Sequence, residues 1–357
     1  MNKIVIFAGT GFIGTALVQH FCKTREVVVV GRTAAIDRFR KNEHELIREY
    51  GIKTALWDGI HLSKEWTVAL ENAAMVINLA GKSVNCRYHA ANKKAVLESR
   101  TITTELIGKA IQSCQHPPTL WINAGSSTIY ADSYQQANDE IDGTISDLKK
   151  DNMPFSLLDQ VRFLCKKTRC LITKGRHSDA YQQLDKDFSV SVCKAWEQTF
   201  WESPTPQTRK IALRIAIVLG RGGVMQPYRM LSLLGLGGKQ GHGKQKFSWI
   251  HIHDLCRACE YLETKQELNG VFNLAAPEVV TNAEFCQTIN HKLHQKIALP
   301  ATATLLELGA FLLGTETELL LKSRWVKPRR LLEAGFSFSY PTLAPAIENI
   351  LTSWKSV

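Results

Sequence analysis

The sequence predicts an α/β fold built on a doubly wound parallel sheet. Three observations carry that expectation: a glycine-rich turn between an apolar β-branched run and a helical pattern near residue 10, continued alternation of such strands and helices to about residue 220, and a globular composition. With 357 residues, 45% of them hydrophobic and 22% charged, the chain can bury a sizeable core.

The first element is KIVIFAGTGFIGTALVQHFC, residues 3–22. Its opening run reads as a buried strand, and Ile13, Ala16, Leu17 and Phe21 recur at helical spacing, so Gly9, Gly11 and Gly14 lie between strand and helix. Gly9 permits the tight turn, Gly11 lets the backbone approach a pyrophosphate, and Gly14 allows the helix to pack closely on the strand. The helix N-terminus then faces phosphate, which makes Gly9, Thr10, Gly11, Phe12, Ile13 and Gly14 candidate cofactor contacts.

A second strand, EVVVVGR, ends in Gly31 and Arg32. An acidic residue there would bind a ribose 2′-hydroxyl, whereas an arginine suits a 2′-phosphate. The expected cofactor is therefore NADP(H). Further strands follow at IKTALWD, AAMVINLAG and TLWINAGSS, with a helix over residues 91–113 between the last two. Crevices at the carboxyl ends of such strands bind ligands, which nominates Asp58, Leu79, Ala80, Gly81 and residues 123–130.

The alternation lapses over about residues 147–186, where RFLCKKTRCLITKGR carries six basic residues without an acid. This insert is expected to be a solvated loop or lid; it lacks the interleaved aromatics of a nucleic-acid stacking platform. Regularity resumes with the helix SVSVCKAWEQTFWE, the strand KIALRIAIVLG, and the glycine-rich LGLGGKQGHGKQKFSWIHIHDL, from which Gln245 and Trp249 are candidate substrate contacts. Arg214, inside an apolar strand, needs a carboxylate or phosphate, so it is either a structural pair or a substrate anchor.

Nine scattered cysteines without a framework predict a reducing, cytoplasmic compartment. Cys256 and Cys259 sit in a helical pattern with no second pair at metal-ligand spacing, so they read as packing and no metal is expected. Glycines interrupt the N-terminal apolar run, which argues against a signal peptide, and acids interrupt ATATLLELGAFLLGTETELLLKSRW, which argues against a membrane span. The net charge of +11 suits anionic partners without choosing among them. The organisation expected is a Rossmann-like domain over 1–220, a substrate-side α/β region over 221–300 interleaved with it, and a helical tail over 301–357. The particle is expected to be a monomer or homodimer.

These residues resemble the extended short-chain dehydrogenase/reductase superfamily, and more closely its atypical branch of epimerase-family proteins with a short C-terminal helical domain of unknown function. GTGFIG, INLAGKSV, ESRTITTELI, LRIAIVLGRGG, FNLAAPEVVTNAEF and KPRRLLEAGFSFSYPTL carry the likeness along nearly the whole chain. The resemblance implies NADP(H) binding and an oxidoreductase or nucleotide-sugar epimerase, and its branch-specific CRYHAANKKAVLESR points to Arg87 and Arg100 as contacts to an anionic substrate. It also exposes a departure: the superfamily's tyrosine–lysine pair falls on Ser189 and Cys193, with Lys194 one residue out of register. NAGSSTIY stands where a serine-rich segment is expected, with Gly125 at the serine place, so Tyr130 is the substitute proton donor and Ser126 or Ser127 the orienting hydroxyl. The function implied is hydride transfer to or from a small polar substrate, anionic or sugar-nucleotide, and the alternative is a non-catalytic NADP(H)-binding regulator or redox sensor.

Overall fold

A computed structural model describes residues 2–146, 188–301 and 322–354. The expected basic insert and most of the apolar stretch after residue 301 lie outside these residues.

Seven parallel strands form the central sheet. They are β1 (Lys3–Phe7), β2 (Glu26–Gly31), β3 (Lys53–Leu56), β4 (Ala73–Asn78), β5 (Leu120–Ser126), β6 (Arg209–Ile215) and, later in the chain, β11 (Gly270–Leu274). Their spatial order is β11-β6-β5-β4-β1-β2-β3, so the winding reverses between β1 and β4 and opens a crevice at the carboxyl ends of those two strands. The alternation of side chains decides the two faces. Ile4 and Ile6 join Leu17, Phe21, Leu255 and Leu262 under the helices Phe12–Phe21 and Ile252–Thr264, whereas Val5 and Phe7 join Ile107, Ile111, Trp121 and Phe200 under the helices Ala90–Gln112 and Phe188–Glu202. Both faces are covered, which is why these strands read as unbroken apolar runs.

The apolar stretch expected as one strand is divided. After β6 the chain leaves the sheet at Ala216, whose N–H bonds to Leu274 O, and Ile217–Gly220 forms β7 in a second sheet. There β7 pairs with β8 (Gly222–Gly223) and β10 (Trp249–His251), while β9 (Lys246–Phe247) pairs with β12 (Val280–Thr281). A third core gathers Tyr228, Phe247, Trp249 and Phe285 with Ile347 and Ile350 of the terminal helix Leu343–Ser353. The region expected on the substrate side thus builds its own small core while lending β11 to the main sheet.

Cys256 and Cys259 are free, buried thiols in the main core, and burial pushes Cys259 up to about 12. Among the described residues no three His, Cys, Asp or Glu side chains gather as a metal site, and no helix is long and apolar enough to cross a membrane.

Candidate nucleotide site

The glycine turn sits at the mouth of the crevice. Ala8 adopts φ 55, and its N–H holds Val30 O at 2.8 Å, which turns the chain sharply out of β1. A Cβ on Gly14 would lie 2.5 Å from Gly9 Cα, and one on Gly9 would lie 3.0 Å from Val29 Cγ1, so both glycines are demanded by packing. Gly11 differs. It is exposed, has extended backbone (φ −86, ψ 178), and its Cβ would meet only Ala8 O at 3.7 Å. The N-cap of the ten-residue helix that follows has no side-chain hydrogen bond, and its first turn has no acid, so no side chain of that turn competes for its first N–H groups. This cradle fits a pyrophosphate. Phe12 and Ile13 are half-buried, and the Phe12 ring fills the space over Gly220, Gly222 and Gly223, tying the turn to the β7–β8 hairpin.

At the end of β2, Arg32 opens onto a cleft of about 560 Å³ shared with Thr33, Trp57, Asp58, His61, Ser63 and Glu65. Its exposed guanidinium has no hydrogen bond or ion pair among the described residues. The cleft wall is rigid for identifiable reasons. Phe7 meets Trp57 and Trp66 edge-on at 5.2 and 5.4 Å, and both indoles donate to His61 O. Asp58 accepts from the N–H groups of Ile60 and His61 and lies 2.6 Å from His61 Nδ1; that last contact first, then the backbone bonds, lowers its carboxyl to about 2. Asp58 therefore holds the turn that carries His61. His61, Ser63 and Glu65 were not singled out from sequence, because only the fold brings the end of β3 beside Arg32.

Across the crevice, Leu79 N–H bonds to Phe7 O and Ala80 N–H to Asn78 Oδ1. Asn78 donates to Asn123 Oδ1 and Thr104 Oγ1, and Trp196 Nε1 donates to Thr104 Oγ1, so a buried polar relay fixes the ends of β4 and β5. Gly81 lies against Arg100, which is half-buried. Arg87 is also half-buried, in the segment leading to the same helix. Ser126 Oγ donates to Thr128 Oγ1 and accepts from Thr128 N–H, and Ser127 is buried beside it. Gly125 is confined by the sheet, since a Cβ there would come 3.0 Å from Leu213 O.

Two expected site residues are placed differently. Tyr130 is fully buried: the short turn Ser127–Ile129 carries its ring inward, where the hydroxyl donates to Asn273 Oδ1 and accepts from Arg214 Nη1. Burial raises its pKa, against the pull of Arg214. Among the described residues its hydroxyl is committed to these two partners rather than presented to the crevice surface. Arg214 in turn donates bidentately to Glu197, Nε to Oε1 at 2.7 Å and Nη2 to Oε2 at 2.9 Å. Burial opposes its charge, but Glu197 more than offsets that and holds its pKa above the usual value. Arg214 is a structural pair here. Glu197 is the partner its burial required, and a lone acid on an otherwise apolar helix face was the available signal.

Gln245 and Trp249 are buried in the second region; Gln245 Nε2 donates to Gln240 O, and Trp249 joins the third core. Ser189 and Cys193 are buried on the helix Phe188–Glu202.

Comparisons with known proteins agree with this geometry. The model of the NAD dependent epimerase/dehydratase family matches residues 4–157, and that of a domain of unknown function matches residues 302–350. The chain is 30% identical over 355 residues to epimerase family protein SDR39U1 of Mus musculus, covering 98% of this chain and 99% of the relative. A crystal structure of the human epimerase family protein SDR39U1 (isoform 2) with NADPH superposes with TM-score 0.71 at 28% identity, covering 98% of this chain and 99% of that one. UDP-N-acetylglucosamine 4-epimerase from Bacillus cereus, at 15% identity and TM-score 0.67 over 99% of this chain and 100% of its own, shares the fold. With its glycine turn, reversed sheet winding and full-length likeness, the chain belongs to the NAD-dependent epimerase/dehydratase family.

Proposed function

We propose that this chain binds NADP(H) across the β1–β4 crevice and acts on a small polar substrate as an oxidoreductase or nucleotide-sugar epimerase-like enzyme. The observation that carries the reading is Arg32, a guanidinium at the end of β2 that faces a cleft and has no partner among the described residues, in a chain similar to a protein solved with NADPH. Backbone N–H groups of residues 9–14 hold the pyrophosphate, Arg32 pairs with the 2′-phosphate, and Leu79, Ala80 and Gly81 border the nicotinamide half. The cofactor supplies the hydride. Ser126, half-buried at the end of β5, orients the reacting oxygen with Ser127 packed behind it, and with Tyr130 enclosed, the proton travels through solvent or a substrate group.

The burial of Tyr130, with Ser189 and Cys193 at the tyrosine and lysine places, favours one second reading: a non-catalytic NADP(H)-binding regulator or redox sensor. NADPH oxidation in the presence of a carbonyl panel supports the enzyme; tight binding without turnover supports the regulator. The cofactor assignment is tested by titration calorimetry of NADPH and NADH against wild type and Arg32→Ala. NADPH is expected to bind at least tenfold tighter, about 1.4 kcal/mol, and the variant to lose that margin. Failure of both nucleotides to bind, or equal affinity, refutes it.

A further inference from the structure

Two arginines lie beside the helix Phe188–Glu202, and the fold treats them differently. Arg214 has a carboxylate on its side edge, both bonds going to Glu197. Arg100 has none. Its Nη1 donates to the carbonyls of Lys82 at 3.0 Å and Val96 at 2.9 Å, while Nε and Nη2 have no partner among the described residues.

The guanidinium is nevertheless fixed. Its Cζ lies 5.1 Å from the centre of the Trp196 ring, and it packs so closely on Gly81 that a Cβ there would come within 3.0 Å of Cζ. A half-buried cation held by main-chain carbonyls and an aromatic ring, with one two-donor edge left without a partner among the described residues, is a preorganised receptor for two coplanar oxygens. Gly81, against which Cζ, Nε and Nη1 of the guanidinium pack, stands just past the end of β4, on the border of the crevice.

We infer that the open Nε–Nη2 edge of Arg100 binds a carboxylate group of the substrate, seating it beside Gly81 and Trp196. The inference rests on the crevice being a nucleotide site and adds the substrate class. One edge and one positive charge match a monoanionic carboxylate. Gly81 is then a specificity residue, because its missing side chain lets the guanidinium lie where it does.

The test uses the full chain saturated with NADPH and calorimetric titration with acetate, lactate, malonate and benzoate, with lactamide and inorganic phosphate as comparisons. At least one carboxylate is expected to bind, lactamide is not, and the affinity is expected to fall tenfold or more in Arg100→Met and in Arg100→Lys, which lacks the paired edge. Gly81→Ala keeps the charge but displaces the guanidinium, so it is expected to weaken the same ligand while leaving the fold intact by circular dichroism. NADPH affinity, measured separately, is expected to stay at the wild-type value in Arg100→Met. Carboxylate binding indifferent to Arg100→Met, preference for phosphate through Arg100, or no carboxylate bound by NADPH-saturated protein overturns the inference. Loss of NADPH binding in wild type overturns the nucleotide reading itself, and with it the inference.

Discussion

Alanine at Gly11 and at Gly14 separates what the turn does for the ligand from what it does for the fold. At Gly14 the new Cβ would lie 2.5 to 2.7 Å from Gly9 backbone atoms, which cannot swing aside as a side chain can. Overpacking of this kind costs about 1–3 kcal/mol. Alanine recovers roughly 1 kcal/mol of helix propensity over glycine. With the contact at the severe end of the range, the net loss is about 2 kcal/mol, or roughly 3 °C in Tm for 357 residues at about 2.1 cal/mol/K each.

At Gly11 the backbone is ordinary and the nearest neighbour is 3.7 Å away, so the unliganded variant should stay within about 0.5 kcal/mol of wild type. Its methyl group instead occupies the approach of the pyrophosphate. Calorimetric unfolding with and without NADPH reads both effects: at a hundred times Kd, the ligand adds about 2.7 kcal/mol to wild type, and a tenfold weaker complex loses about half of it. The expected pattern is Gly14→Ala destabilised without ligand, and Gly11→Ala normal without ligand but poorly stabilised by NADPH. A Gly11→Ala variant stabilised as well as wild type would refute the placement of the pyrophosphate; an undisturbed Gly14→Ala would refute the close-packing argument.

Two further expectations concern buried polar groups. Glu197→Gln leaves Arg214 buried without a counter-charge, a loss of about 3–5 kcal/mol, seen as a Tm lower by roughly 4–7 °C; the double variant Glu197→Leu, Arg214→Met should recover much of it, and a fully stable Glu197→Gln would count against the pairing. His251 is buried, accepts from His253 N–H at Nδ1 and stacks on Tyr340, and burial lowers its pKa to about 4 from an ordinary 6.5, with Asp254 pulling it up and His253 down. The unfolded chain therefore takes up this proton first, so the contribution is present above about pH 6.5 and declines as pH falls toward 4. Thermal unfolding of wild type and His251→Gln from pH 7 to 4.5 should show the steeper acid decline in wild type; parallel curves would refute the assignment.

The sheet, its winding and the glycine turn were legible because each is a local pattern. Strand runs, helical spacing and three glycines constrain backbone close to themselves, and Arg32 is found by counting to the end of the next strand. The division of the strand at Ala216 was not legible, since its apolar residues continue without a break and only the pairing of Ile217 with Ser248, continued as β7 on β10, draws the chain out of the main sheet. The same holds for side chains judged by residue type. Tyr130 and Arg214 carry groups that suit a crevice, yet one short turn and one acid on a neighbouring helix commit both to the interior. Arg100, of the same type as Arg214, has no carboxylate on its Nε–Nη2 edge among the described residues. Local sequence determined where the glycine turn joins strand to helix; tertiary packing decided which polar side chains remain available, because hydrogen-bond partners far apart in the chain are assigned only when the elements meet.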